Sequence, residues 1–133
     1  ELTTRKIGLE IDLENDVIVE IYDSWYKFFS VTRELIKDIP ASKVQKKSTQ
    51  KIIGLSIDVL NTGLRPHLTK WQARFRRWYN KKLEEDDYID VSPQDIQKQY
   101  PSYDELTTEM LELNQRLMRY RSRMYELVVG RAK

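Results

Sequence analysis

The chain holds a single histidine and no cysteine, so few of its side chains could take part in nucleophilic or metal chemistry. His67 lies in the stretch Leu64–Leu83, LRPHLTKWQARFRRWYNKKL. A zinc site built on it would need carboxylates in place of the usual Cys and His partners. No nucleophile-elbow motif accompanies it for a Ser-His-Asp arrangement. Its expected role is a polar group at the edge of an aromatic stripe. Glu10, Asp12, Glu14 and Asp16 resemble an oxygen-ligand cluster. An EF-hand loop counted from Asp12 would need glycine and glutamate where the chain has Val17 and Asp23. A solvated acidic face is the expected reading. There is no P-loop, G-x-G-x-x-G or H-E-x-x-H motif, and the four glycines are scattered. The expectation is a protein that is not an enzyme, with no catalytic residue, resident metal or cofactor.

The same stretch carries the strongest candidate for binding. At about 100° per residue, Leu64, Leu68, Trp71, Phe75 and Trp78 share one helical face, with Tyr79 at its edge. Lys70, Arg74, Arg77 and Lys81 form a row on the flank. From Arg65 to Lys82 there are seven basic residues and no acid. Like charges one turn apart cost roughly 0.2–0.5 kcal/mol per pair, so such a row calls for nearby negative charge. Two sources are expected. One is internal: Glu84, Glu85, Asp86, Asp87 and Asp90 follow at once and can fold back over residues 70–82. The other is an external polyanion, a nucleic acid or an anionic membrane surface, joined by the second cluster Lys43, Lys46, Lys47 and Lys51. The tryptophans lie in phase with the apolar stripe, so core packing is expected of them in preference to base stacking.

These residues must be positioned by helices. Ile18, Ile21, Trp25, Phe28, Thr32, Leu35 and Ile39 step by three and four, which predicts a helix over about 16–38, ended by Pro40. The alternation Ile7, Leu9, Ile11, Leu13 suggests either a short β-hairpin with 17–21 or an extension of that helix. A second helix is expected over about 42–62, capped by Ser42. Asn61-Thr62-Gly63 reads as a stop and Pro66 as a first-turn proline, which predicts a separate helix over 66–83. One long helix kinked at Pro66 is the alternative. An acidic linker spans 84–101, with a short helical turn from Pro93. The last helix, about 102–129, opens on an S-x-x-E capping box at Ser102 and Glu105. It keeps coiled-coil a and d positions through Tyr103, Leu106, Met110, Leu113, Leu117, Tyr120, Met124 and Leu127. Leu111, Met118 and Tyr125 add a second row, which predicts more than one neighbour.

Few breakers and 33% charged residues favour helices over a sandwich or barrel. The predicted fold is all-α. It is a single domain over 1–133, an elongated antiparallel bundle of three long helices or four segments, with Trp25, Trp71 and Trp78 in the core. No apolar run approaches the about 20 residues that span a bilayer. The chain begins at Glu1, so it is expected to be part of a larger intracellular, cytoplasmic, bacterial protein, whose other segments include a possible membrane anchor. The expected function is an interaction or assembly module that binds a protein partner or another copy of itself as a homo-oligomer. Nucleic-acid or anionic-surface binding through the basic row is the alternative. No small-molecule substrate is suggested.

Overall fold

A computed structural model describes residues 10–44 and 46–132, and the side chains of all of these except 43, 44 and 127–132. The described residues are all-α, with no strand. Helix α1 spans Ile18–Lys37 and a short α2 spans Ala41–Val44. Helix α3, Lys47–Asp58, continues through a π-helical turn, Val59–Leu64, into α4, Arg65–Leu83. A 3-10 turn at Asp86–Tyr88 and a short α5, Pro93–Gln97, lead to α6, Tyr103–Ala132.

Contacts along the helices fix their directions. On α1 and α4, Tyr22 and Trp25 meet His67, and Asp23 pairs with Arg76. Arg65 lies over the Phe29 ring. Higher numbers on α1 meet lower numbers on α4, so the two are antiparallel. On α6, Glu105 and Glu109 meet Lys70, Arg116 meets Asp58, and Tyr120 meets Ser56, so α6 is antiparallel to α3 and α4. The core runs down the middle, with Ile18, Trp25, Phe75, Leu106, Met110 and Leu117 fully enclosed.

The predicted α6 periodicity is seen directly. Leu106, Met110, Leu113, Leu117 and Tyr120 are buried, and Tyr103 and Met124 pack at the edge. Leu127 lies outside the described side chains. In the second row Leu111 packs against the core, whereas Tyr125 is exposed. Trp25 and Trp71 are buried as expected. Trp78 is only partly buried, covered by Phe75 and Tyr100, whereas Tyr79, expected at the edge of the stripe, is buried.

Four expectations are corrected. The first concerns the break at 61–66. The helix does not stop at Gly63, and 47–83 runs on through the π turn. In α-helical register the ring of Pro66 would crowd the carbonyl four residues back, and the wider turn makes room for it. The Asp58 carbonyl accepts from the Thr62 hydroxyl at 2.8 Å. Gly63 serves close approach: a Cβ there would sit 3.1 Å from Leu113 Cδ1. The second correction concerns α3, which starts at Lys47 instead of Ser42, after the separate turn of α2. Third, no hairpin forms with 17–21. Residues 13–15 turn and Ile18 begins α1. Residues 1–9, and with them the rest of the strand pattern or helical extension, lie outside the described residues. Fourth, α6 starts where the capping box placed it, but the Glu105 carboxylate reaches across to Lys70 at 3.1 Å instead of back to the start of the helix. The serine that does cap is Ser92, which accepts from the Asp95 N–H at 3.2 Å.

A buried amide does for α1 what its own N-cap cannot. Val17 has no side chain able to cap. Gln97 of α5 fills that place: its Oε1 accepts from the Ile18 N–H and its Nε2 donates to the Asp16 carbonyl, both at 2.8 Å. Asn114 of α6 similarly accepts from the Ile11 N–H at 3.1 Å. Gln97→Ala would strand the buried Ile18 N–H and take one donor from the part-buried Asp16 carbonyl, and it is expected to cost about 2 kcal/mol in a urea melt.

Candidate interaction surface

The basic row divides into two parts. Lys70 is neutralised, but by α6 and not by the linker: its ammonium donates to Glu105 at 3.1 Å and to Glu109 at 2.9 Å. These bonds raise its pKa above the ordinary lysine value, and they hold Glu109 below the usual carboxylate range with help from the Trp71 N–H. Arg74, Arg77 and Lys81 are exposed and form no ion pair with a described residue. Of the linker acids, Glu85 reaches back to Lys82 at 3.2 Å. Glu84, Asp86, Asp87 and Asp90 remain exposed, so the expected folding of the linker over the row is confined to one bond. Lys46, Lys47 and Lys51 are exposed around the start of α3, far along the rod from Arg74–Lys81, so the two clusters do not form one patch. The Lys43 side chain lies outside the described ones.

His67 is not at an edge but enclosed, at 4% exposure. Its Nε2 bonds the Tyr22 hydroxyl at 2.8 Å, and its Nδ1 lies 3.8 Å from Glu109 Oε1 with no hydrogen-bond partner. Burial pushes its pKa down to about 4, against the opposing pull of Glu109. Burial also raises the Tyr22 pKa. The pair is therefore neutral at pH 7, with Tyr22 enclosed at 1% exposure. The network acts as a polar rivet between α1, α4 and α6, and His67 also borders a depression of about 330 Å³ lined by Lys70, Glu109 and Arg116. Asp12, from the acidic N-terminal run, is spent on its own turn, where its carboxylate accepts from the Glu14 N–H and the Asn15 amide.

A surface that periodicity does not mark lies between α1 and α4. Two adjoining depressions of about 260 and 470 Å³ share Tyr26, Leu68, Thr69 and Gln72. Phe29, Arg33 and Arg65 border one end; Asp23 and Arg76 border the other and pair with each other. Tyr26 is 57% exposed although it stands beside the core residues Tyr22 and Trp25. It falls off the apolar stripe of α1, which is why the sequence pattern passes over it. The groove has a mixed floor, with Leu68 beside Thr69 and Gln72, aromatic walls at Tyr26 and Phe29, and a basic rim where Arg33 and Arg65 have no ion pair with a described residue. No protein-family model, curated protein or solved structure matches this chain. Among the described residues no helix is long and apolar enough to cross a membrane.

Proposed function

We propose that the chain is a non-enzymatic helical interaction module that binds a protein partner or another copy of itself through the groove between α1 and α4. The observation that carries this reading is Tyr26, a large aromatic 57% exposed on α1, in a groove with Phe29 and with Arg33 and Arg65, which have no ion pair with a described residue. Aromatic and arginine side chains are the groups that anchor protein interfaces. The His67–Tyr22 bond supports the non-enzymatic part, because it ties the chain's one imidazole to an enclosed hydroxyl in a joint between α1 and α4.

The test is a photo-crosslinking amino acid placed at position 26, with position 121 on exposed α6 as control. A discrete adduct from position 26 and none from 121 is the expected result. No adduct from 26, or the same bands from both, would overturn the reading.

A second reading is favoured by Arg74, Arg77 and Lys81, which stay unpaired on one flank of α4. Phosphates of a nucleic acid fit such a row. With Lys70 already held by Glu105 and Glu109, three contacts are available. The slope of log K against log salt on duplex DNA is then expected near −2.7, from roughly −0.9 per phosphate. Arg74→Gln with Arg77→Gln should flatten it by nearly two and weaken all sequences alike. A salt titration with labelled duplex checks this, and no binding by the wild type at low salt would remove the reading.

A further inference from the structure

We infer that the groove between α1 and α4 receives the acidic segment 84–90 of a second copy of this chain, with Ile89 as its anchor; the inference rests on the reading of that groove as a docking surface. Ile89 is 79% exposed, more than any other large apolar side chain among the described residues. It stands in Asp86-Asp87-Tyr88-Ile89-Asp90, so its acceptor must offer an apolar hollow with positive charge around it. The groove offers an aromatic and aliphatic side at Tyr26, Phe29 and Leu68 beside polar Thr69 and Gln72, with Arg33 and Arg65 at its border.

The segment is presented and not slack. The Tyr88 hydroxyl donates to Gln99 at 2.6 Å, Lys82 lies 5.2 Å from the Tyr88 ring centroid, and the 3-10 turn fixes Asp86–Tyr88. A loop already held in its bound shape loses little freedom on docking. The two surfaces cannot meet within one molecule. Leu68 and Leu83 are separated by about 22 Å of helix at about 1.5 Å per residue. Beyond Leu83 the chain turns to α5, which is bonded to the start of α1. The partner is therefore another copy, and the pairing is reciprocal when each molecule lends its segment to the other.

The experiment is sedimentation equilibrium of the chain over a wide concentration range, at low and physiological salt, with circular dichroism to verify that each variant is folded. Four proteins are compared: wild type, Ile89→Ser, a groove variant with Arg33→Glu and Arg65→Glu, and a segment variant with Asp86→Lys and Asp87→Lys. The wild type should show concentration-dependent mass that falls as salt rises. Ile89→Ser should weaken association by about tenfold or more, the loss expected for an apolar anchor. The groove and segment variants should each fail to self-associate, yet an equimolar mixture should recover association, because reversed groove then meets reversed segment and native groove meets native segment. A wild type that stays monomeric, an Ile89→Ser variant that associates normally, or a mixture of folded variants that does not recover would each overturn the inference. If the wild type is monomeric while position 26 still crosslinks a different protein, the docking surface stands and only its occupant is wrong. If Arg33→Glu with Arg65→Glu abolishes binding to duplex DNA or to phosphatidylserine vesicles and leaves the mass unchanged, the groove takes a polyanion and the inference fails.

Discussion

Trp25→Ala should destabilise the protein by about 3–5 kcal/mol, the range for removing a fully enclosed large aromatic. A domain of this size has about 5–15 kcal/mol in all, so the variant would be marginal at 25 °C. Trp25 is 0% exposed, and it packs against Tyr22 and His67 where α1 and α4 are joined. Its indole N–H has no hydrogen-bond partner. Trp25→Phe therefore gives up ring volume without losing a hydrogen bond, and it should cost clearly less than Trp25→Ala. Trp78→Ala should also cost less, because Trp78 is only partly buried. Urea melts of the three variants check the order. A loss below about 1 kcal/mol for Trp25→Ala would remove Trp25 from the centre of the core.

The second large effect is on the pH dependence. Folding holds the pKa of His67 at about 4, below the ordinary 6.5, so the unfolded chain binds the proton more readily in that window. Stability is complete above pH 6.5 and falls as the pH drops toward 4. The expected loss is about 2 kcal/mol by pH 5 and about 3 kcal/mol by pH 4, at about 1.36 kcal/mol per unit. Glu109 works at lower pH: its depressed pKa adds stability that is present above the ordinary carboxylate value and lost only as pH falls below it. The interval from pH 7 to 5 thus belongs to His67, the chain's one histidine. When the neutral imidazole carries its proton on Nδ1, Nε2 accepts from Tyr22 and the N–H is turned toward Glu109. Denaturant midpoints from pH 7 to 5 should fall for the wild type and stay nearly level for His67→Gln. An equal fall in both would assign the slope elsewhere.

Which parts of this could be read in advance follows from the range of the signals. The apolar stripes of α1 and α6 and the stop at Pro40 depend on neighbours within a turn or two, and they survive folding unchanged. The break at Gly63 and Pro66 was a local signal overridden from outside. Leu113 of α6 needs the space that a side chain at 63 would take, and the π turn accommodates the proline without ending the helix. The Glu105 half of the capping box was lost for a similar reason, since its carboxylate is drawn off by Lys70 from 35 residues away. The basic row was legible as a row, but its division into neutralised Lys70 and unpaired Arg74, Arg77 and Lys81 depends on the register of α4 against α6. The groove at Tyr26 had no sequence signal, because it is made of the off-stripe edges of two helices that meet only in the fold.

The π turn at Val59–Leu64 also bears on which length changes the chain can survive. A π turn holds a residue more than the α turn it replaces, so the segment is the natural place for a single-residue insertion to have been absorbed, or a deletion to be attempted. Deleting one residue there would restore an unbroken α-helix with α3 and α4 keeping nearly the same facing, but it would return Pro66 to the α-helical register in which its ring crowds the carbonyl four residues back. Ser56 would still meet Tyr120 and Thr49 would stay buried, so the strain would fall on the turn at Pro66. Substitutions at the exposed Asn61 cause no such strain. This stretch is accordingly tolerant of sequence drift at its surface, and a change in count there strains the turn at Pro66 without turning one helix against the other.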